Sequence, residues 1–389
     1  MANVRAGPHN VRVLRNEASG RRRFAGILLV GVLGAIAALL VALGNPGNMG
    51  LCGVCFLRDL AGALRLHTGP SIFRPEVLGI ALGALAWSAM LRRHVGRSGS
   101  HAVARFLLGL AMGLAALVFL GCPFRMLQRL GGGDLNAWVA LPGFVAGVGI
   151  ARPFEQRGYS LGKTQTVPLA IGLAGPVALG SLLVLFLAGG VLAGPGPGSL
   201  DKPLHAVWWQ ALGLAVAAGG ILSATGFCAI SAARQVFAGP RWMLVAAAVL
   251  VATYALVSLA GGRFALGFAG QPVSHGDWLW NALATLLLGL CGALAGGCPV
   301  RQIVMAGEGN GDAFVAVGGM TLGGALAQSM QITSVAASAD AAGSSTPAGR
   351  IVVGSLLGLV LVYAAAMVIA ARSRPQATLP STPHTNSAC

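Results

Sequence analysis

Residues 121–125 read GCPFR, and residues 297–301 read GCPVR. The cysteine, the proline and the arginine of the first copy each lie 176 residues before their counterparts in the second copy. A Gly-Asp pair follows each motif, at 133–134 and at 311–312. Since the chain has only 7 cysteines, such a match is improbable by chance, and it indicates an internal repeat.

An earlier pair of motifs keeps the same offset. GLCGVCFLR at residues 50–58 aligns with GFCAISAAR at residues 226–234, so that Cys52 corresponds to Cys228. Arg58 corresponds to Arg234 in the same alignment, whereas Cys55 aligns with a serine. The sequence therefore predicts two homologous halves, each of which has a cysteine at the same two positions of the repeat.

The composition between these motifs is that of an integral membrane protein. Of the 389 residues, 56% are hydrophobic and only 9% are charged, and 59 are glycine. A membrane-spanning helix needs about 20 mostly apolar residues. About ten such runs are present, five in each half, at roughly 24–43, 75–91, 104–120, 135–151, 166–194, 204–225, 242–260, 279–297, 313–332 and 350–371.

The basic residues occur in blocks that the ten spans place on one side. The blocks lie before the first span, after the second, after the fourth and after the last. The positive-inside rule then puts both termini in the cytoplasm, and it accounts for the net charge of +16 without nucleic acid as a partner. The first apolar run is longer than the h-region of a cleaved signal peptide, so we expect it to be retained.

An odd number of spans in each half has a consequence for orientation. Two homologous halves of five spans enter the membrane in opposite directions, which is the inverted-repeat architecture of many transporters. We therefore predict an all-α polytopic membrane protein with re-entrant, cysteine-bearing half-helices. Its predicted segments are a basic cytoplasmic N-terminal segment (1–23), a first inverted repeat (24–194), a second inverted repeat (204–371) and a disordered cytoplasmic tail (372–389).

The motifs themselves have the pattern of short helices that begin inside the protein. In GCPFR the proline suits the first helical position, so Cys122 is the predicted N-cap. A thiol there lies at the positive end of the helix dipole, beside unpaired N–H groups that favour anions. Arg125 follows one turn later, and Arg301 does so after Cys298. Cys55 and Arg58 are three residues apart and are expected to share a helix face.

Several of these residues have less specific interpretations. The arginines, above all Arg58 and Arg234, could extend toward the membrane interface. The acidic residues near the motifs are expected to pair with arginines or to cap helices; they are Asp59, Asp134, Glu308 and Asp312. Cys291 has no repeat counterpart and is expected to be a packing residue, Cys389 belongs to the predicted tail, and the histidines show no ligand spacing.

Parts of the sequence are also compatible with functions other than transport. The CGVC spacing at residues 52–55 is compatible with a metal site, but a zinc site needs four ligands and the second half has no CxxC. A membrane thiol-disulfide oxidoreductase that uses Cys52 and Cys55 stays open, although it leaves the repeat unexplained. A general small-solute channel also stays open. We expect a transporter, not an enzyme, with no metal and no cofactor.

The paired motifs, with the span pattern over residues 24 to 371, resemble the YeeE/YedE family of bacterial inner-membrane proteins, and more closely its YedE branch linked to selenium metabolism. The resemblance implies an hourglass-shaped inverted repeat that passes thiosulfate along central cysteines through S–H···S hydrogen bonds. It implies Cys52 and Cys122 on the outer approach, Cys298 and Cys228 on the inner approach, and a small cytoplasmic sulfur-carrier protein of the TusA type as a partner.

This sequence departs from the thiosulfate branch in the proline and arginine after each second cysteine and in its additional Cys55. The cargo is therefore open between a selenium compound and thiosulfate. The predicted substrate path consists of five cysteines and four arginines, which are Cys52, Cys55, Cys122, Cys228, Cys298, Arg58, Arg125, Arg234 and Arg301.

Overall fold

The computed structural model describes residues 8–193, 205–338 and 343–373. The predicted tail lies outside the described residues from residue 374 onward. Of the predicted N-terminal segment, residues 8–23 are part of the first helix, so the helix continues across the boundary at residue 23. A two-stranded antiparallel sheet joins β1 (Arg97–Ser98) to β2 (Gln165–Thr166), and the other elements described are helices.

Seven helices lie in each half of the described chain. The first half contains α1 (Pro8–Ala42), α2 (Gly53–Ala63), α3 (Pro75–Met90), α4 (Ala102–Phe119), α5 (Pro123–Gly131), α6 (Leu135–Gln156) and α7 (Leu169–Ala188). The second half contains α8 (Trp208–Thr225), α9 (Ala229–Phe237), α10 (Trp242–Ala260), α11 (Trp278–Leu294), α12 (Pro299–Gly307), α13 (Gly311–Ser329) and α14 (Pro347–Arg372). Each of the ten predicted spans coincides with one long helix, and the motifs form the four short ones.

The helices are apolar and numerous enough for a multi-pass membrane protein. Within the described residues, eight helical stretches meet the length and hydropathy of a membrane span. The apolar helix α3 is shorter, with 16 residues, and α13 is not among the eight. Large apolar side chains such as Leu359 and Val362 on α14 are exposed, as expected for a surface that faces lipid. The all-α polytopic prediction is confirmed.

Glycines allow the long helices to approach closely. Gly34 of α1 packs against the backbone of α10 at Leu250, and Gly147 of α6 packs against α11 at Leu286. Membrane helices gain little from hydrophobic burial against one another, so small residues that permit close van der Waals contact hold them together. Many of the glycines in the long helices thus have a packing role.

The helix contacts follow the repeat. The contact between α3 and α8 has its counterpart in the contact between α10 and α1, and the contact between α4 and α13 has its counterpart in that between α11 and α6. Gly79 and Gly83 of α3 pack in ascending order along α8, so these two helices run parallel. Gly26 and Gly34 show the same for α1 along α10.

The first helices of the two halves run in opposite directions. Gly44, just after α1, packs against His205, just before α8, so α8 begins near the place where α1 ends. Asn45 strengthens this junction, because its side-chain oxygen accepts a hydrogen bond from the backbone N–H of Ala206 at 2.9 Å. This direction supports the prediction of inverted halves.

Candidate functional site

The four cysteines of the repeat occupy equivalent positions in the structure. Each is the N-cap of a short helix and has an extended backbone: Cys52 precedes α2, Cys122 precedes α5, Cys228 precedes α9 and Cys298 precedes α12. All four are at most 4% exposed. Pro123 and Pro299 occupy the first turn of their helices, as the sequence predicts.

The N-termini of these helices meet. The backbone N–H of Gly53 donates to the Sγ atom of Cys122 at 3.3 Å, which joins α2 to α5. In the second half the N–H of Cys298 donates to Sγ of Cys228 at 3.3 Å, which joins α12 to α9. We call the four N-cap residues Cys52, Cys122, Cys228 and Cys298 the cysteine junction.

Contacts between the halves close this junction. Gly53 packs against Pro299 and Val300, so α2 of the first half touches the start of α12 in the second. The rings of Phe124 and Phe227 meet edge to face, with centroids 6.3 Å apart, beside Cys122 and Cys228. The thiols of both halves therefore lie in one buried region.

The junction favours a small anion. The first N–H groups of a helix have no partner within the helix, and the helix dipole adds partial positive charge at that end. Four helices of 9 to 11 residues direct these ends toward one region. Thiols add weak hydrogen-bond donors whose soft sulfur atoms suit sulfur or selenium.

Cys55 lies one turn inside α2 and is buried. Its backbone N–H donates to Sγ of Cys52 at 3.4 Å. The six cysteines within the described residues, including the buried Cys291 of α11, are all free thiols. Cys389 lies outside the described residues.

Arg125 is fully buried, and it is bound by backbone carbonyls. Its Nε donates to the carbonyl of Asn48 at 3.1 Å, Nη2 to those of Pro272 and Val273, and Nη1 to that of Leu120. Leu120 ends α4, where carbonyls lack partners and the dipole is negative, so a cation is favoured there. These contacts use four of the five guanidinium donors, so Arg125 contributes positive charge more than hydrogen bonds.

Arg301 has different partners from its repeat counterpart. Its Nη1 and Nη2 atoms donate to the two carboxylate oxygens of Glu308, each at 3.2 Å. Both side chains are 19% exposed. The aliphatic part of Arg301 lies against Gly297, as that of Arg125 lies against Gly121, which explains the glycine that precedes each cysteine in the GCPxR motifs.

The remaining two arginines also pair with carboxylates. Arg58 binds Asp59, which in turn binds Arg74 with an Nε–Oδ2 distance of 2.7 Å. Arg234 binds Glu155 and donates to the carbonyl of Ala293 at 3.0 Å. The expectation that acidic residues near the motifs pair with arginines or cap helices is confirmed for Asp59 and Glu308, and for Asp134, which caps α6.

The sequence reasoning missed a buried ion pair beside the site. Arg129 of α5 contacts Asp134 with an Nε–Oδ2 distance of 2.6 Å, and both side chains are fully buried. Arg129 also donates to Ser274 of the second half at 2.6 Å. It has no repeat counterpart, since residue 305 is methionine, so the symmetry that revealed the other arginines did not reveal this one.

A cavity of about 1140 Å³ lies beside residues 22–29 of α1, where α3 and α8 end. Arginines and tryptophans contribute to its lining, together with Ser223, Thr225 and Glu308. We call it the basic cavity; its arginines are Arg22, Arg23, Arg93 and Arg97, and its tryptophans are Trp87 and Trp242. Through Glu308, it borders the helix that starts at Cys298.

Comparison with known proteins points to sulfur transport. The family described as Sulphur transport matches residues 224–388, which include Cys228 and Cys298, and the first half repeats both motifs. No curated protein is similar enough to count as a match. These findings support a multi-pass membrane protein of sulfur transport that is related to the YeeE/YedE family.

Proposed function

We propose that the protein imports a small anion that contains sulfur or selenium, either thiosulfate or a selenium compound, through the cysteine junction. The observation that carries this proposal is that the four repeat-related cysteines cap four short helices whose N-termini meet. One isolated buried cysteine is usually a packing residue. Four thiols in equivalent positions at converging helix starts form a site for a soft anion.

The path uses hydrogen bonds and no covalent step. Backbone N–H groups at the helix starts bind the anion's oxygens, and the thiols contact its soft sulfur or selenium atom. Arg125 and Arg301 keep the surroundings positive, while Arg58 and Arg234 lie within the helices that follow Cys52 and Cys228. On this account the protein is a transporter without enzymatic activity.

The proposed orientation places the basic cavity in the cytoplasm. Arg22 and Arg23 precede the apolar part of α1, and Arg93 and Arg97 follow α3, so all four lie on the side that the positive-inside rule assigns to the cytoplasm. The protein then lies in the bacterial inner membrane with both termini inside. Cargo passes Cys52 and Cys122 before Cys298 and Cys228, and a carrier protein of the TusA type receives it.

Uptake by the purified protein in liposomes tests the proposal. The assay uses radiolabelled thiosulfate and selenite, with sulfate as a hard-anion competitor that has neither a terminal sulfur nor a lone pair on its central atom. We expect uptake of at least one of the first two, with little competition by sulfate. No uptake of either, by protein that is folded and oriented, would contradict the function.

One observation favours the alternative of a thiol-disulfide oxidoreductase. Cys52 and Cys55 lie one turn apart and are joined by the 3.4 Å contact between the N–H of Cys55 and Sγ of Cys52. Loss of thiol oxidation with intact transport in a Cys52→Ser, Cys55→Ser protein would support that enzyme. A general small-solute channel predicts instead that uncharged solutes of similar size pass equally well.

A further inference from the structure

We propose that the Glu308 carboxylate binds Arg301 when no cargo is present and that the arriving anion displaces it from Arg301. This inference rests on the proposed function. It adds a residue that controls release on the inner side.

The two halves differ at this position. Glu308 is the C-cap of α12, and its repeat counterpart is Gly132, the C-cap of α5, 176 residues earlier. A side chain at Gly132 would collide with the amide of Asn48. In the first half the Asn48 amide occupies this space, and Arg125 is held by backbone carbonyls.

The surroundings of the Arg301–Glu308 ion pair favour its separation. Both side chains are partly exposed, whereas the Arg129–Asp134 pair is completely buried. Glu308 also lies at the C-terminal, negative end of α12, where a carboxylate is disfavoured. Arg301 and Ser223 hold it there: the hydroxyl of Ser223 donates to Oε1 at 2.9 Å.

The displaced Glu308 side chain can move into the basic cavity. Glu308 lines the basic cavity, so a small movement of its side chain brings it toward the four arginines there. Arg301 lies one turn after Cys298, close enough to the junction to accept an anion that leaves the thiols. Return of Glu308 to Arg301 then expels the anion into the cavity.

Anion binding by the solubilised full-length protein tests this role. Thermal stabilisation is titrated with thiosulfate and with selenite for the unaltered protein, Glu308→Gln, Glu308→Asp and the control Asp277→Asn. The control removes a carboxylate that pairs with Arg350 outside the site. A partly exposed ion pair is worth up to about 1 kcal/mol, so Glu308→Gln should lower the half-saturating anion concentration about two- to fivefold.

Glu308→Asp keeps the charge on a shorter side chain, so its half-saturating anion concentration should lie between those of the unaltered protein and Glu308→Gln. The half-saturating concentration of the control Asp277→Asn should equal that of the unaltered protein. Maximal uptake by Glu308→Gln liposomes should also fall, because the anion leaves Arg301 more slowly. Unchanged or weaker binding by Glu308→Gln would overturn the inference and assign Glu308 a purely structural role. Absence of both uptake and binding in the unaltered protein would instead contradict the proposed function.

Discussion

The backbone N–H of Gly53 donates to the Sγ atom of Cys122 at 3.3 Å, across 69 positions of the chain. Cys122 thus accepts a hydrogen bond from the first residue of α2 while it caps α5. This contact joins two helix starts of the first half, and the N–H of Cys298 and Sγ of Cys228 join those of the second. The thiols of Cys122 and Cys228 therefore connect the starts of the short helices in each half.

Removal of a junction thiol should stop transport. In Cys122→Ala and in Cys298→Ala we expect labelled thiosulfate or selenite uptake to fall at least about tenfold, because one hydrogen bond to a charged cargo is worth about 1.5–3 kcal/mol. Cys291→Ala is the matched control, since Cys291 is equally buried but caps no helix. Undiminished uptake by both junction variants would exclude a thiol-lined path.

Cys55 should tolerate serine. Its repeat counterpart is Ser231, so the second half already functions with a hydroxyl at this position. We expect Cys55→Ser to retain most of the uptake and Cys52→Ser to lose most of it, measured in the same liposome assay. Equal loss of uptake in the two variants would contradict the expectation that a hydroxyl can replace the thiol of Cys55.

Arg125 should matter more for stability than an exposed arginine. Arg125→Gln leaves several buried carbonyls without donors, and we expect the free energy of unfolding to fall by about 3 kcal/mol or more. Arg350→Gln removes an ion pair whose arginine is 43% exposed, and should cost about 1 kcal/mol or less. Chemical unfolding in detergent measures both changes. A similar loss of unfolding free energy in the two variants would contradict a stabilising role for the Arg125 hydrogen bonds.

Helix packing through glycine gives a prediction independent of transport. Gly147→Ala introduces a methyl group against the α11 backbone at Leu286, and we expect a loss of about 1–3 kcal/mol. Gly213→Ala in α8 is the control, because no atom lies within 4 Å of the added group and alanine favours the helix. Unfolding midpoints should move in opposite directions.

The orientation can be measured with reporters. Green fluorescent protein fused after Cys389 should fluoresce, because the C-terminus is proposed to lie in the cytoplasm. Alkaline phosphatase inserted after Gly190, between α7 and α8, should be active, because five spans precede it. The opposite result at both places would invert the proposed direction of transport.

Much of the fold could be read from local sequence. Apolar length gave the ten long helices, and the repeat offset of 176 residues identified the four short helices and their N-cap cysteines. The arginines show where that reasoning ends. Arg125 and Arg301 occupy the same position of the repeated motif. Arg125 nevertheless binds the carbonyls of Asn48 and Leu120, whereas Arg301 binds Glu308.

The sequence by itself determined a membrane-embedded, all-helical chain in two related halves, because hydropathy and repeat spacing depend on the order of residues alone. Only the tertiary structure decided that the four helix starts meet, that Arg129 pairs with Asp134, and that Arg301 pairs with Glu308 whereas Arg125 contacts backbone carbonyls. Side chains far apart along the chain make these contacts, and the available space at Gly132 and Asn48 depends on how whole helices pack.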